Sequence, residues 1–91
     1  MEHPEGQLNM QAFPNPASEE LFIELGTQED LLVTYQLYNA LGQVLQTQEQ
    51  ESSKITARWD ISQLKPGTYL MEAQLENGQR QVIWFVKANR P

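Results

Sequence analysis

The 91-residue chain has no cysteine and a single histidine, His3. Disulfides, thiolate zinc sites and cysteine nucleophiles are therefore excluded. Neither a histidine-based triad nor an HExxH zinc site has a carrier. Basic residues are scarce: six lysines and arginines against twelve aspartates and glutamates give a net charge of −6. That is the wrong sign for gripping a phosphate backbone, so no nucleic-acid partner is expected. No apolar run approaches the roughly 20 residues of a membrane-spanning helix, so the chain is not expected to span a membrane. No basic-then-apolar leader opens it, an absence that is informative only if Met1 is a natural start. No DxDxDG spacing supports calcium, and no GxGxxG or GxxxxGK[ST] supports a nucleotide. The composition points to a non-catalytic domain without metal or cofactor.

What remains is a strand pattern. At 10.5 kDa the folded chain buries roughly 64% of its unfolded surface, enough for one core and no second domain. Residues 1–7 (Met1-Glu2-His3-Pro4-Glu5-Gly6-Gln7) are polar with a proline and a glycine, and read as a linker remnant or an added leader. Residues 8–91 form the domain. Period-two alternation with turn residues every 8 to 12 positions predicts about seven strands. They cover Asn9–Phe13, Glu20–Gly26, Leu32–Asn39, Val44–Gln50, Lys54–Asp60, Thr68–Glu76 and Gln79–Lys87. Only Ala17–Glu20 and Ile61–Leu64 have room for a helical turn. The fold class is all-β, an antiparallel immunoglobulin-like sandwich. Leu64-Lys65-Pro66-Gly67 reads as a type II turn, and Asn77-Gly78 as a hairpin turn in which both residues tolerate the left-handed region.

Side chains that carry chemistry do not converge. Glu19/Glu20 and Glu29/Asp30 are adjacent and point to opposite faces of a strand, while Glu49 and Glu51 read as solvated surface. Trp59, Trp84, Tyr35, Tyr38 and Tyr69 sit at alternating positions, where core aromatics are commoner than a carbohydrate platform. Outward glutamines, Gln36, Gln46, Gln48, Gln50 and Gln74, keep strand faces wet without charge. The last strand, Val82-Ile83-Trp84-Phe85-Val86, is apolar on both faces. It is either buried on both sides or covered by a loop, or it presents an apolar face to a partner or adds to another sheet.

The order of motifs resembles a known family. Phe13-Pro14-Asn15-Pro16-Ala17-Ser18 is similar to the "YPNPAS" opening of the type A C-terminal sorting domain of the type IX (Por) secretion system of Bacteroidetes. Leu37 to Val44 resembles its "lyd..Gk.v" hairpin. Asp60 to Leu70 resembles its "dls.l..G.Y.l" block, and Asn77-Gly78 with Val82 to Lys87 its closing strand. The likeness spans about residues 8 to 87. The chain departs from the family in having few basic residues near its end: Arg80, Lys87 and Arg90.

The resemblance implies a secretion signal that directs N-terminally attached cargo through the outer-membrane translocon and is then usually removed by a surface sortase-type peptidase. The implied partners are the translocon, its shuttle and sortase-type components, and the cargo. The implied route runs through the periplasm to the cell surface or medium, with cleavage before Leu8. It places recognition on the C-terminal hairpin, at Gly67, Tyr69, Gly78, Arg80, Val82, Phe85, Val86 and Lys87. Pro14, Asn15, Pro16, Gly42 and Asp60 are its structural positions, and no cofactor is implied. The alternatives are a non-catalytic adhesion or carbohydrate-binding sandwich, which requires an exposed tryptophan, and a spacer domain of a surface protein.

Overall fold

The alternation resolves into seven strands in the computed structural model, which describes residues 9–26, 31–51 and 56–89. They are β1 (Met10–Phe13), β2 (Glu20–Leu25), β3 (Leu32–Tyr38), β4 (Val44–Glu51), β5 (Thr56–Asp60), β6 (Gly67–Leu75) and β7 (Arg80–Lys87). Residues 1–8, Glu29-Asp30, Lys54-Ile55 and Arg90 lie outside the described residues. β1-β2-β5 form one antiparallel sheet and β4-β3-β6-β7 the other, so the molecule is a sandwich of immunoglobulin-like architecture. Neither short segment expected to hold a helical turn does so. Ala17 is a bridge residue, and Ile61–Leu64 is a single turn closed by Leu64 N–H to the Ile61 carbonyl at 3.0 Å.

The core lies between the sheets and follows the period of two. Leu21 and Ile23 of β2 and Ala57 and Trp59 of β5 face Val33, Tyr35 and Leu37 of β3. Tyr69, Met71, Ala73 and Leu75 of β6 and Phe85 of β7 join them, with Met10, Ala17 and Ile61. Tyr35 and Trp59 meet edge to face across the gap, ring centroids 6.2 Å apart, a favoured aromatic geometry. Outside the core, Phe13 stacks on its cross-strand partner Phe22 at 5.9 Å.

Two expectations about side-chain placement are corrected. Gln46, Gln48 and Gln50 lie opposite Leu37, Tyr35 and Val33 on β3, and so share the core-facing side of their sheet. β4 is an edge strand of the wider sheet and the narrower sheet does not cover it, so this side of β4 stays wet. Glutamine suits a position that faces inward without being enclosed. Trp84, expected in the core, is 55% exposed on the outer face of β7. Its neighbours Ile83 and Phe85 take the inward positions, and alternation leaves Trp84 outside.

Burial pushes the Tyr35 phenol up from 10.0 to about 12. The folded state therefore holds this proton more tightly than the unfolded chain. The resulting stability is present below pH 10 and is lost as pH rises towards 12. We expect Tyr35→Phe to flatten the alkaline fall in stability by about 2 kcal/mol, read from urea midpoints of the two proteins across that range.

Candidate functional site

The C-terminal hairpin β6–β7 is built around a loop more specific than its Asn-Gly sequence predicts. Leu75 N–H bonds the Gln79 carbonyl at 2.8 Å and Gly78 N–H bonds the Leu75 carbonyl at 2.9 Å. Gly78 has φ +97°, and no described non-glycine residue has positive φ. The loop is thus Glu76-Asn77-Gly78 with one left-handed residue, the three-residue hairpin with a glycine bulge. A two-residue turn with Asn77 also left-handed does not form. The Asn77 side chain selects this geometry by accepting Gln79 N–H at 2.9 Å. Asn39 and Gly42 (φ +87°) repeat the design at the β3–β4 turn, where Asn39 Oδ1 accepts Leu41 N–H and Gln43 N–H.

At the other end, Gly67 opens β6 with φ +153°, outside the third position of a type II turn and rarely adopted by an L side chain. Tyr69 donates its hydroxyl to the Lys65 carbonyl at 2.5 Å and stacks on its strand partner Phe85 at 5.7 Å. Asp60 Oδ1 accepts both Ser62 N–H, at 3.0 Å, and Ser62 Oγ–H, at 2.7 Å. Those two bonds, backbone first, hold its carboxyl below the usual value, with Arg58 adding to the effect. Asp60 therefore ties the start of a turn and not of a helix.

Of the expected recognition residues, Tyr69, Phe85 and Lys87 are buried. The Lys87 stem packs inward and its ammonium donates to the Ala88 carbonyl, at 3.4 Å. Arg80, Val82 and Val86 present their side chains on the outer face, together with Trp84, which sequence reasoning did not single out as exposed. The registers align Val44, Tyr38, Leu70 and Trp84 in one row across all four strands. Beside that row, Glu72 is nearly buried and forms an ion pair with Arg80 at 2.5 Å. The Tyr38 hydroxyl lies 2.8 Å from Glu72 Oε1 and from Gln36 Oε1. Its hydrogen bond to Glu72 raises the Tyr38 pKa, and burial adds to this.

The N-terminal motif meets the hairpin directly. Asn15, between two prolines each preceded by a cis peptide bond, applies its side-chain amide to the outer edge of β7. Its Nδ2 donates to the Trp84 carbonyl at 3.4 Å, and its Oδ1 accepts Val86 N–H at 3.0 Å. Ala17 N–H donates to the Val86 carbonyl at 2.8 Å, and Ala88 N–H donates to the Ala17 carbonyl at 2.7 Å. Pro16 has no N–H to offer, so the Asn15 amide stands in for a peptide group. The chain leaves the β1 sheet and clasps β7 in parallel, with Ala17 opposite Lys87.

Among the described residues no three histidine, aspartate or glutamate side chains gather as a metal ion would need. No helix there is long and apolar enough to cross a membrane. The arrangement offers a strand edge, an apolar outer row and a clasp.

The family model described as "Secretion system C-terminal sorting domain" matches residues 11–87. A search of curated proteins finds no match. Among solved structures, the chain is similar to part of the "Crystal structure of dimeric latent PorU from Porphyromonas gingivalis". The TM-score is 0.71 at 18% identity, covering 91% of this chain and 9% of that chain. At that identity the likeness is one of fold, and this chain corresponds to under a tenth of the other's length.

Two variants test the construction. Asn15→Leu removes both side-chain bonds and should cost about 1 kcal/mol in urea unfolding, with faster amide exchange at Val86. Gly67→Val meets no atom within 4 Å, so its cost comes from the backbone alone, about 1–3 kcal/mol. Thr68→Val, one position on, should leave the urea midpoint nearly unchanged.

Proposed function

The chain belongs to the family of secretion system C-terminal sorting domains, and on that premise we propose how its folded form serves as the signal. It is a type IX sorting domain, working with that secretion machinery on attached cargo bound for the cell surface or extracellular space. The family match across residues 11–87 carries this reading. In our proposal the domain folds in the periplasm while joined to cargo on its N-terminal side, and the C-terminal hairpin is what the outer-membrane translocon and its shuttle component engage. A sortase-type peptidase then cuts ahead of the domain, and the domain itself does no chemistry. Folding before export suits the topology, since three of the five strand pairings join sequence neighbours.

On β7 the side chains able to meet a partner are Arg80, Val82, Trp84 and Val86. Tyr69, Phe85 and Lys87 contribute by holding that strand against the core. Gly67 and Gly78 contribute by shaping its ends. An exposed tryptophan is also what a carbohydrate-binding sandwich requires, and Trp84 meets that condition. It is flanked on its own face by Val82 and Val86, however, and no described aromatic ring lies against it. A dry protein contact fits this setting better than a sugar, whose hydroxyls need polar partners.

The test is a secretion assay in a Bacteroidetes host, with a signal peptide and a folded fluorescent reporter fused ahead of residues 1–91. Reporter should reach the surface or medium in the intact strain and stay in the periplasm of a translocon-null strain. Deleting residues 81–91 should abolish export. Reporter retained in the periplasm of both strains with the domain folded, or efficient export by the truncated form, would overturn the proposal. Glycan binding by the isolated domain would then favour the carbohydrate reading.

A further inference from the structure

The clasp covers only part of the β7 edge. In an antiparallel strand each residue's N–H and C=O point to the same side, and the side alternates. The Val86 N–H and C=O and the Trp84 C=O point away from β6, because Asn15 and Ala17 receive them. By the same alternation the N–H and C=O groups of Arg80 and Val82, and the Trp84 N–H, point outward too. No described residue hydrogen-bonds to any of these groups. Among the named strands β7 forms a ladder with β6 alone, with β1 passing close to it but not paired, and an open recess of about 320 Å³ lined by Arg80, Gln81 and Val82 lies at this stretch.

Such a bare edge is a template for pairing with another chain, and this one lacks the usual guards. No proline interrupts it, no bulge twists it away, and its one charge, Arg80, is drawn onto the sheet face by Glu72. The apolar side chains of Val82 and Trp84 flank it on the outer face. The remainder of the same edge shows what it accepts: amide donors and acceptors supplied in cis, from the Asn15 side chain at Trp84 and Val86 and from the Ala17 peptide groups at Val86 and Ala88.

We propose that residues Arg80 to Trp84 form a β-augmentation site, at which an extended segment of a secretion-machinery protein adds as a further strand beside β7 and continues the pairing begun by the clasp. This rests on the sorting reading above and specifies its mode of contact. Main-chain hydrogen bonds supply the adhesion, and Val82 and Trp84 offer apolar contact to alternate side chains of the incoming strand. A second copy of this chain is a poorer occupant. Two β7 edges meeting antiparallel could pair only over this short stretch before each met the other's clasp, far below the area of a stable dimer.

The decisive variant is Val82→Pro in the same reporter fusion. It removes an N–H that points away from β6, so the β6–β7 ladder keeps its bonds, and an edge strand tolerates proline there. Gln81 is already extended, as a residue before proline must be. Val82→Thr keeps the N–H and changes only the side chain. We expect export to fall about tenfold or more in Val82→Pro and to stay within about twofold of wild type in Val82→Thr. Equal export by wild type and a folded Val82→Pro would overturn the proposal, as would equal loss in both variants, which would assign the contact to the side chain. Failure of the wild-type fusion itself would count against the sorting reading instead. Amide exchange of the unmodified domain checks the edge without any variant: Val82 and Trp84 should exchange much faster than Val86. Comparable protection at all three would mean the edge is closed and would equally overturn the proposal. So would a wild-type dimer on size exclusion that Val82→Pro abolishes, since the occupant would then be a second copy.

Discussion

A sandwich with open sheets has to deal with the polar groups along its outermost strands, and in this protein the solution at β7 organises much else. The Pro-Asn-Pro-Ala segment leaves one sheet, crosses the gap and lies against the other, so the last strand is held by the first part of the chain. The two prolines have no N–H to give, the Asn15 amide supplies a donor and an acceptor in their place, and Ala17 then pairs through its own backbone. Ala17 can sit fully buried at the crossing because it brings almost no side chain. The contact links the region next to the N-terminal side with the strand nearest the C-terminal side, 71 residues apart between Asn15 and Val86.

The rest of the architecture makes that link rigid. β6 lies between β3 and β7 in the wider sheet and supplies Tyr69, Met71, Ala73 and Leu75 to the core. Phe85 and Lys87 anchor β7 from within, one through stacking on Tyr69 and the other through its aliphatic stem. Both hairpins of this sheet end in loops whose single left-handed residue is glycine and whose asparagine ties the turn. Register is thereby fixed at both ends of the sheet, and a one-residue slip that would turn Phe85 outward is disfavoured. The outer face is held more loosely, by one network through Tyr38, Glu72 and Arg80. Surface ion pairs contribute little, but Glu72 is nearly buried, and an unpaired carboxylate there would be costly.

Seven strands, their approximate ends and the all-β class were legible because alternation and turn residues are local signals. The family resemblance was legible through the order of its motifs. The placement of Trp84 and Lys87 was not. A strand apolar on both faces gives no period from which to choose the inner one, and lysine is read as exposed unless its stem is seen packing. The glutamines of β4 misled for another reason: facing inward and being covered are different properties when one sheet is wider than the other. The three-residue loop at Gly78 was hidden because Asn-Gly also suits a shorter turn, and only the hydrogen bonds of Leu75 decide between them. The role of Asn15 was out of reach, since nothing local to Pro14-Asn15-Pro16 names a partner at Trp84 and Val86.

These placements bear on how a sorting signal is read. Much of the hairpin's side-chain identity is committed to the core, and on β7 the side chains left outside are Arg80, Val82, Trp84 and Val86. A chain of net charge −6 also leaves little basic character near its end, with Lys87 turned inward and Arg80 held by Glu72. Long-range attraction through that strand is accordingly weak, and in the proposed reading recognition comes from contact. The main chain is the part of β7 most regularly displayed, and it is displayed on one side only, up to the point where Asn15 takes over. A label read through such an edge asks little of its side chains beyond keeping the strand extended, its inner face packed and its outer edge bare.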